Sequence, residues 1–211
     1  MIKMFTLYII LLSFVFSSDN LLLLEKMNEN SEWLYDYENE GVKVFVLKSD
    51  SLPPVIKLEK IMLNTDGILD VILDVKNYNN VLTERTLTSK YITQIADTTY
   101  GYQITKNFIP FTRNRHLIFK MYKTGKNRID WILLDDEHQY FDPYRSRRTK
   151  ELPFGAGAWE IKELDTGDYK LMHYLYIDPL INMPRFFLNS ATKRSVLKVF
   201  KDVLKSYNQI K

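Results

Sequence analysis

The chain has 211 residues with 29 basic and 26 acidic side chains, a net charge of +3 at pH 7, and no cysteine. Disulfides, thiolate metal sites and thiol nucleophiles are therefore excluded, and the charge is too small to argue by itself for nucleic acid. Hydrophobic residues at 45% and charged residues at 26% describe an ordinary globular chain, not a disordered one. The length suits one domain, with a core that could also wrap a cavity. Aromatics reach 14%, with 14 Tyr and 12 Phe, and favour sheet.

Residues 1–18 read as a secretory signal, leaving a domain at 19–211. Lys3 makes a basic start, Phe5–Phe16 is apolar, and Val15 and Ser17 fit the small positions before a cut near Ser17 or Ser18. As a helix the twelve residues Phe5–Phe16 would reach about 18 Å, short of a hydrocarbon core of ~30 Å. Cleavage is the preferred reading; an uncleaved anchor is the alternative. Either one puts the domain outside the cytoplasm, periplasmic or secreted.

Leu21–Asn30 reads as the first helix after the leader, either a lid or a segment packed on a sheet edge. Trp33–Leu47 is a strand region interrupted at Gly41, with Val42, Val44 and Val46 alternating against Lys43, Phe45 and Leu47. A loop follows at Ser49–Pro54, then a strand at Ile56–Leu63. Thr65 or Asp66 can cap a helix at Gly67–Lys76, whose apolar side is Ile68, Leu69, Ile72, Leu73 and Val75. Asn77–Asn80 ends it.

From Thr83 to Trp159 the pattern is mostly strands: Ser89–Asp97, Thr99–Asn107, Arg115–Lys123, Ile129–Leu134 and a basic one at Arg145–Leu152. Short links predict antiparallel pairing. Ala158–Leu164 and Tyr169–Ile177 form a hairpin around Asp165-Thr166-Gly167-Asp168, and Asp178-Pro179 ends the second strand. Pro184 to Tyr207 reads as one long amphipathic helix. Phe187, Ala191, Val196, Phe200, Val203 and Tyr207 make its stripe, widened by Leu197 and Leu204. The helix cannot bury that stripe alone, so a curved antiparallel sheet upstream is its natural receiver.

Gly157-x-Trp159, then Tyr174 and Asp178-Pro179 at a strand end, then Pro184 and Asn189 opening the last helix resemble the START (StAR-related lipid-transfer) domain family. Ile109-Pro110-Phe111-Thr112-Arg113-Asn114-Arg115-His116 is similar to that family's proline and arginine-aspartate motif, with His116 where the family usually has aspartate. Tyr78 stands where tryptophan is frequent. The resemblance covers about Trp33 to Tyr207. It implies an α+β helix-grip fold, a curved antiparallel sheet wrapped around the C-terminal helix, with one hydrophobic ligand in between.

Within Arg115–Lys123, alternation puts Arg115, Leu117, Phe119 and Met121 on one, more apolar face. Arg115 is then an inward charge, either a salt bridge fixing the strand or an anchor for a lipid hydroxyl or headgroup. Some sterol-binding family members carry a buried charged pair. Ungapped alignment through the arginine motif puts the equivalents near Tyr102 and Met121, both uncharged here. The cavity set expected is Tyr102, Arg115, Phe119, Met121, Trp131, Leu133, Trp159, Tyr174, Phe187 and Ala191. Trp159 and Phe187 fit ordinary core equally well.

The last helix also carries a basic face. Lys193, Arg194, Lys198, Lys201 and Lys205 are either a solvated face or a docking surface for anionic lipid headgroups, to which Arg145, Arg147, Arg148 and Lys150 could add. His173 in its strand reads as a satisfied core or surface histidine. Three histidines without close ligand spacing argue against a metal, and no cofactor is expected. There is no nucleophile elbow, Gly155-x-Gly157 fails as a dinucleotide loop, and Asp135-Asp136-Glu137 reads as a solvated turn.

The expected activity is non-catalytic binding, and transfer, of a hydrophobic lipid by a monomer that touches membranes transiently and does not bind nucleic acid. The alternative is a helix-grip enzyme, cyclase- or hydrolase-like, acting on an aromatic substrate in the same cavity.

Overall fold

In a computed structural model, residues 20–25, 27–28, 32–47, 55–83, 86–106, 113–134, 148–178 and 185–210 are described, with side chains of the last helix from 188 onward. The expected leader, residues 48–54 and 135–147, and the motif residues Ile109–Thr112, Pro179 and Pro184 lie outside the described residues, as do Arg145, Arg147 and the side chain of Phe187.

Ten strands make one sheet: β1 (Trp33–Asn39), β2 (Val42–Leu47), β3 (Ile56–Met62), β4 (Thr86–Ile95), β5 (Thr98–Thr105), β6 (Arg115–Lys123), β7 (Arg128–Leu134), β8 (Lys150–Glu151), β9 (Gly155–Glu163) and β10 (Tyr169–Ile177). Their order is β1-β2-β3-β10-β9-β7-β6-β5-β4, antiparallel throughout, with β8 alone adding a short parallel pair to β6. Two short helices, α1 (Ile68–Leu73) and α2 (Tyr78–Val81), bridge β3 and β4, and α3 (Arg185–Ile210) closes the chain. The helix-grip arrangement expected from the sequence is the arrangement observed.

Turn chemistry places the hairpins. Glu40 and Gly41 both have positive φ, 53° and 73°, the two-residue geometry whose twist matches the strands it joins. Gly167 at φ 83° turns β9 into β10. The helix predicted at Gly67–Lys76 is broken instead. After α1 the chain tightens into a 3-10 turn at Val75–Asn77 and restarts as α2, so Asn77–Asn80 continue the helical path rather than end it. That restart buries Tyr78, whose hydroxyl donates to the carbonyl of Ile72.

The concave face carries the core. Val42, Val44, Ile56, Leu58, Phe119, Ile129, Trp159 and Leu171 form one cluster with α1 and with Val196, Leu197, Phe200, Val203 and Tyr207 of α3. From Val196 to Tyr207 the predicted stripe of α3 is thus the face turned to the sheet. At its centre three rings lie in a stack. His173 is 3.9 Å from Trp159 at 7°, and Trp159 is 5.4 Å from Phe200 at 14°. His173 and Trp159 are register partners on β10 and β9, so the stack fastens α3 to two neighbouring strands.

On the convex face Leu24 and Met27 of the N-terminal helical segment pack against Ile132, Ala156, Ala158 and Tyr176. The Asn20 side chain donates to the carbonyls of Leu133 and Pro153 and accepts from the amide of Gly155. The segment therefore covers the back of the sheet, on the side opposite α3.

Phe200 is fully buried. Phe200→Ala should cost about 3–5 kcal/mol in urea unfolding, the range for deleting a buried ring; a loss below about 1 kcal/mol would mean that the stack does not hold the helix.

Candidate functional site

Between the sheet and α3 lies a cavity of about 190 Å³. Its walls come from β4, β5, β6, β7, β9, β10, α2 and α3. Phe119, Met121, Trp131, Leu133, Trp159 and Leu175 form much of the apolar wall. Tyr78 stacks over Phe119 at 6.3 Å, and its hydroxyl lies 3.8 Å from the sulfur of Met121.

The hollow exists because side-chain size changes along α3. Phe200, Val203 and Tyr207 fill the space against the sheet. Toward its N-terminal half the helix presents Thr192, Ser195, Val196 and Val199, none of them aromatic, and these line the cavity. On the sheet side, glycines let large rings lie flat on the neighbouring strand. A Cβ on Gly157 would come 2.3 Å from the carbonyl oxygen of Tyr174 and 2.5 Å from the Trp131 indole; one on Gly101 would come 2.4 Å from Phe119. Gly155 makes the same room beside Leu133. Gly155 and Gly157 are strand residues of β9, neither at positive φ, so they act as floor space for rings rather than as hinges.

Of the ten cavity residues expected from the sequence, Arg115, Phe119, Met121, Trp131, Leu133 and Trp159 lie on the cavity wall. Tyr102 and Tyr174 do not. The β5–β6 register pairs Tyr102 with Ile118, so it faces outward, beside His116 at 6.2 Å, and Gln103 takes the inward place. The ungapped alignment that chose Tyr102 is one residue out of phase with that register, and a one-residue slip exchanges the two faces of a strand. Tyr174 is likewise on the convex side, 5.9 Å from Trp33 and with Arg128 5.8 Å over its ring. Burial and the nearby Glu160 raise its phenol pKa. Ala191 is off the wall, which takes Thr192 instead, and Phe187 falls outside the described side chains.

The expected set lacked several apolar wall residues, among them Tyr78, Leu117, Leu175 and Val196, together with His173 and most of the polar ones. Gln103, Thr86, Thr105, Lys106, Thr192 and Ser195 all face the cavity. They are invisible to a search for apolar stripes; Gln103 and Thr105 are placed by the β5–β6 register, which pairs them with Leu117 and Arg115.

The basic face of α3 is partly engaged within the molecule. Lys193 bonds Asp36 at 2.5 Å, and Lys201 bonds Asn39 at 2.5 Å and Glu40 at 2.6 Å, tying α3 to the β1–β2 hairpin. Arg194 donates to Ser190 at 3.2 Å, while Lys198 and Lys205 are exposed. Among the described residues no three metal-ligating side chains come together.

No family model and no curated protein matches the sequence. Solved structures do match the fold. A STAR-related lipid transfer protein fragment from Xanthomonas axonopodis superposes with a TM-score of 0.67 at 15% identity, over 81% of this chain and 96% of that one. Human StAR-related lipid transfer protein 5 gives 0.67 at 17%, over 94% and 96%. The Zhui aromatase/cyclase from Streptomyces sp. R1128 gives 0.52 at 12%, over 74% and 93%. The chain has the helix-grip fold of STAR-related lipid transfer domains.

His173 is 2% exposed and lines the cavity, and burial pushes its pKa from 6.5 down to about 3. Between those two values the unfolded chain takes up a proton that the folded chain does not, so stability is full above about pH 6.5 and falls as the pH drops toward 3. His173→Phe, which keeps a ring on Trp159, should remove about 2 kcal/mol of the stability lost between pH 7 and pH 5. Urea unfolding at the two pH values measures this, and identical acid slopes would show that His173 is not the group responsible.

Proposed function

We propose that the protein is a non-catalytic carrier that holds one hydrophobic ligand, a lipid, between the sheet and α3 and passes it between membranes. The observation that carries this reading is the cavity itself: an apolar hollow walled by Phe119, Met121, Trp131, Leu133, Trp159 and Leu175 in the middle of an otherwise packed core. Burying about 300 Å² of apolar ligand surface would yield roughly 7–8 kcal/mol of gross driving force, reduced by ordering and desolvation. The fold shared with proteins described as lipid transfer proteins supports it. The proposal includes a secretory leader at residues 1–18, activity outside the cytoplasm, no cofactor and a monomeric carrier.

The volume narrows the ligand. About 190 Å³ lies below the ~300–1,000 Å³ usual for pockets that take drug-sized molecules. In the form described, the site suits one chain or a small ring system rather than a two-chain lipid.

The aromatase/cyclase likeness raises a second reading, and the cavity polar groups bear on it. His173 and Arg115 both reach the wall, but no carboxylate does among the described lining residues. Arg115 opens β6, whereas His173 lies on the row that crosses the far end of that strand through Lys123, Ile129 and Trp159. Acid–base chemistry needs two groups within hydrogen-bond reach of one reacting centre. The wide separation along the register favours a carrier over a catalyst.

Native mass spectrometry of purified protein should show one hydrophobic molecule per chain, released unchanged. Met121→Trp should fill the hollow and abolish loading with the fold intact by circular dichroism. Undiminished loading would place the ligand elsewhere, and a chemically altered ligand would favour the enzyme.

Docking to anionic headgroups, at about 1 kcal/mol for each cation near the surface, is assigned to Lys198 and Lys205, the two lysines of this face that are exposed. Charge reversal of both should slow transfer to anionic vesicles severalfold while equilibrium binding stays unchanged. Equal transfer to neutral and anionic vesicles by the unaltered protein would reject the docking surface.

A further inference from the structure

One end of the cavity is polar and positive in a way that a purely apolar ligand does not explain. Arg115 is 8% exposed, lines the cavity at the start of β6, and makes no ion pair among the described residues. Its Nε is buried without a hydrogen-bond partner. Gln103 is in the same condition at its amide nitrogen. The register sets Arg115 opposite Thr105 and Leu117 opposite Gln103, so Gln103 is the diagonal neighbour of Arg115 on the same face of adjacent strands. Lys106, Thr105 and Thr86 complete this end of the wall. Arg113 adds a second guanidinium close enough to disfavour the charge on Arg115. Lys150 is the register partner of Arg115 on β8.

A buried guanidinium without a counter-charge is costly, and so is a buried amide without a partner. Here both costs fall at one point on a ligand cavity, with Lys106 and the hydroxyls of Thr86 and Thr105 on the same wall. An oxyanion on the ligand would satisfy Arg115 and Gln103 together, through the charge-assisted, fork-shaped bonding that arginine makes with carboxylate and phosphate.

We propose that the ligand is a single-chain amphiphile bearing an oxyanion, a carboxylate or a phosphate, whose head is held by Arg115 and Gln103 while its tail lies along Phe119, Met121 and Trp131. The assignment rests on the cavity being a lipid site. It differs from the salt-bridge role that an inward arginine at a strand start suggests, because the partner is supplied by the ligand and not by the chain.

The test is calorimetric titration of the full-length, delipidated protein with dodecanoate, dodecyl phosphate and dodecanol, which share a tail and differ in the head. At least one of the two anions should bind about tenfold or more tightly than the alcohol, the scale of a charge-assisted hydrogen bond, and the tighter anion identifies the head group. Arg115→Met should erase the preference of the anions over dodecanol. Gln103→Leu, which removes no charge, should reduce the preference by about threefold or more and serves where the arginine variant does not fold. Equal affinity for anions and alcohol, or a preference that survives in a folded Arg115→Met or in Gln103→Leu, overturns the head-group assignment and leaves the lipid reading standing. If none of the three ligands binds, the lipid reading falls and the assignment with it.

Discussion

The ring stack of His173, Trp159 and Phe200 is the contact on which the hollow depends. A curved sheet and a straight helix meet over only part of their length, and where they meet the stack closes the gap with three rings in face contact. Toward its N-terminal half α3 carries Thr192, Ser195, Val196 and Val199 instead of rings, and the cavity opens there. Were the stack absent, the helix could slide or tilt until its smaller face filled the space. The position of α3 is also held at its outer side, where Lys193 and Lys201 grip the β1–β2 hairpin. The basic face thus has a structural task, which sequence alone presents as a solvated or membrane-facing stripe.

The sheet contributes an equally specific device. Aromatic residues on one strand lie over glycines on the next: Trp131 over Gly157, and Phe119 over Gly101, each a register pair. Flat-lying rings make a smooth wall with no protruding methyl groups. Glycine weakens a strand, and its presence at these places marks close approach of a side chain rather than a bend. Gly157 and Trp159, adjacent inward positions of β9, therefore divide the work: one makes room for a wall ring and the other supplies the ring that anchors the helix.

Much of this was legible in the sequence, and the limits have physical causes. The bounds of β6 and β10 were legible, and the face shared by Arg115, Leu117, Phe119 and Met121 stood out as the more apolar of the two, although both faces of β6 are buried. The apolar stripe of α3 was equally plain. Tyr102 was misplaced because parity across the β5–β6 connection cannot be read without the register, and a slip of one exchanges faces. Tyr174 looked like a wall residue because it is aromatic in a buried strand, yet the convex face is buried too, under Leu24 and Met27. A sheet covered on both sides removes the contrast that tells inside from outside. The helix at Gly67–Lys76 was drawn too straight because its break is a tertiary effect, the burial of Tyr78 against Phe119.

The same features that make the cavity also make it expensive when empty. At about 24 cal/mol per Å³, an unfilled apolar hollow of 190 Å³ costs on the order of 4–5 kcal/mol, a large share of the 5–15 kcal/mol that holds a domain folded. To this the chain adds a buried arginine and a buried amide with orphaned nitrogens. Ordinary cores remove such defects by filling the space with a leucine and pairing or deleting the charge. Here the defects are adjacent and complementary: a greasy space, with polar donors at one of its ends. A molecule with a tail and a head offsets both at once, so ligand binding and folding stability draw on the same set of contacts, from Arg115 and Gln103 at one end to Met121 and Trp131 further in.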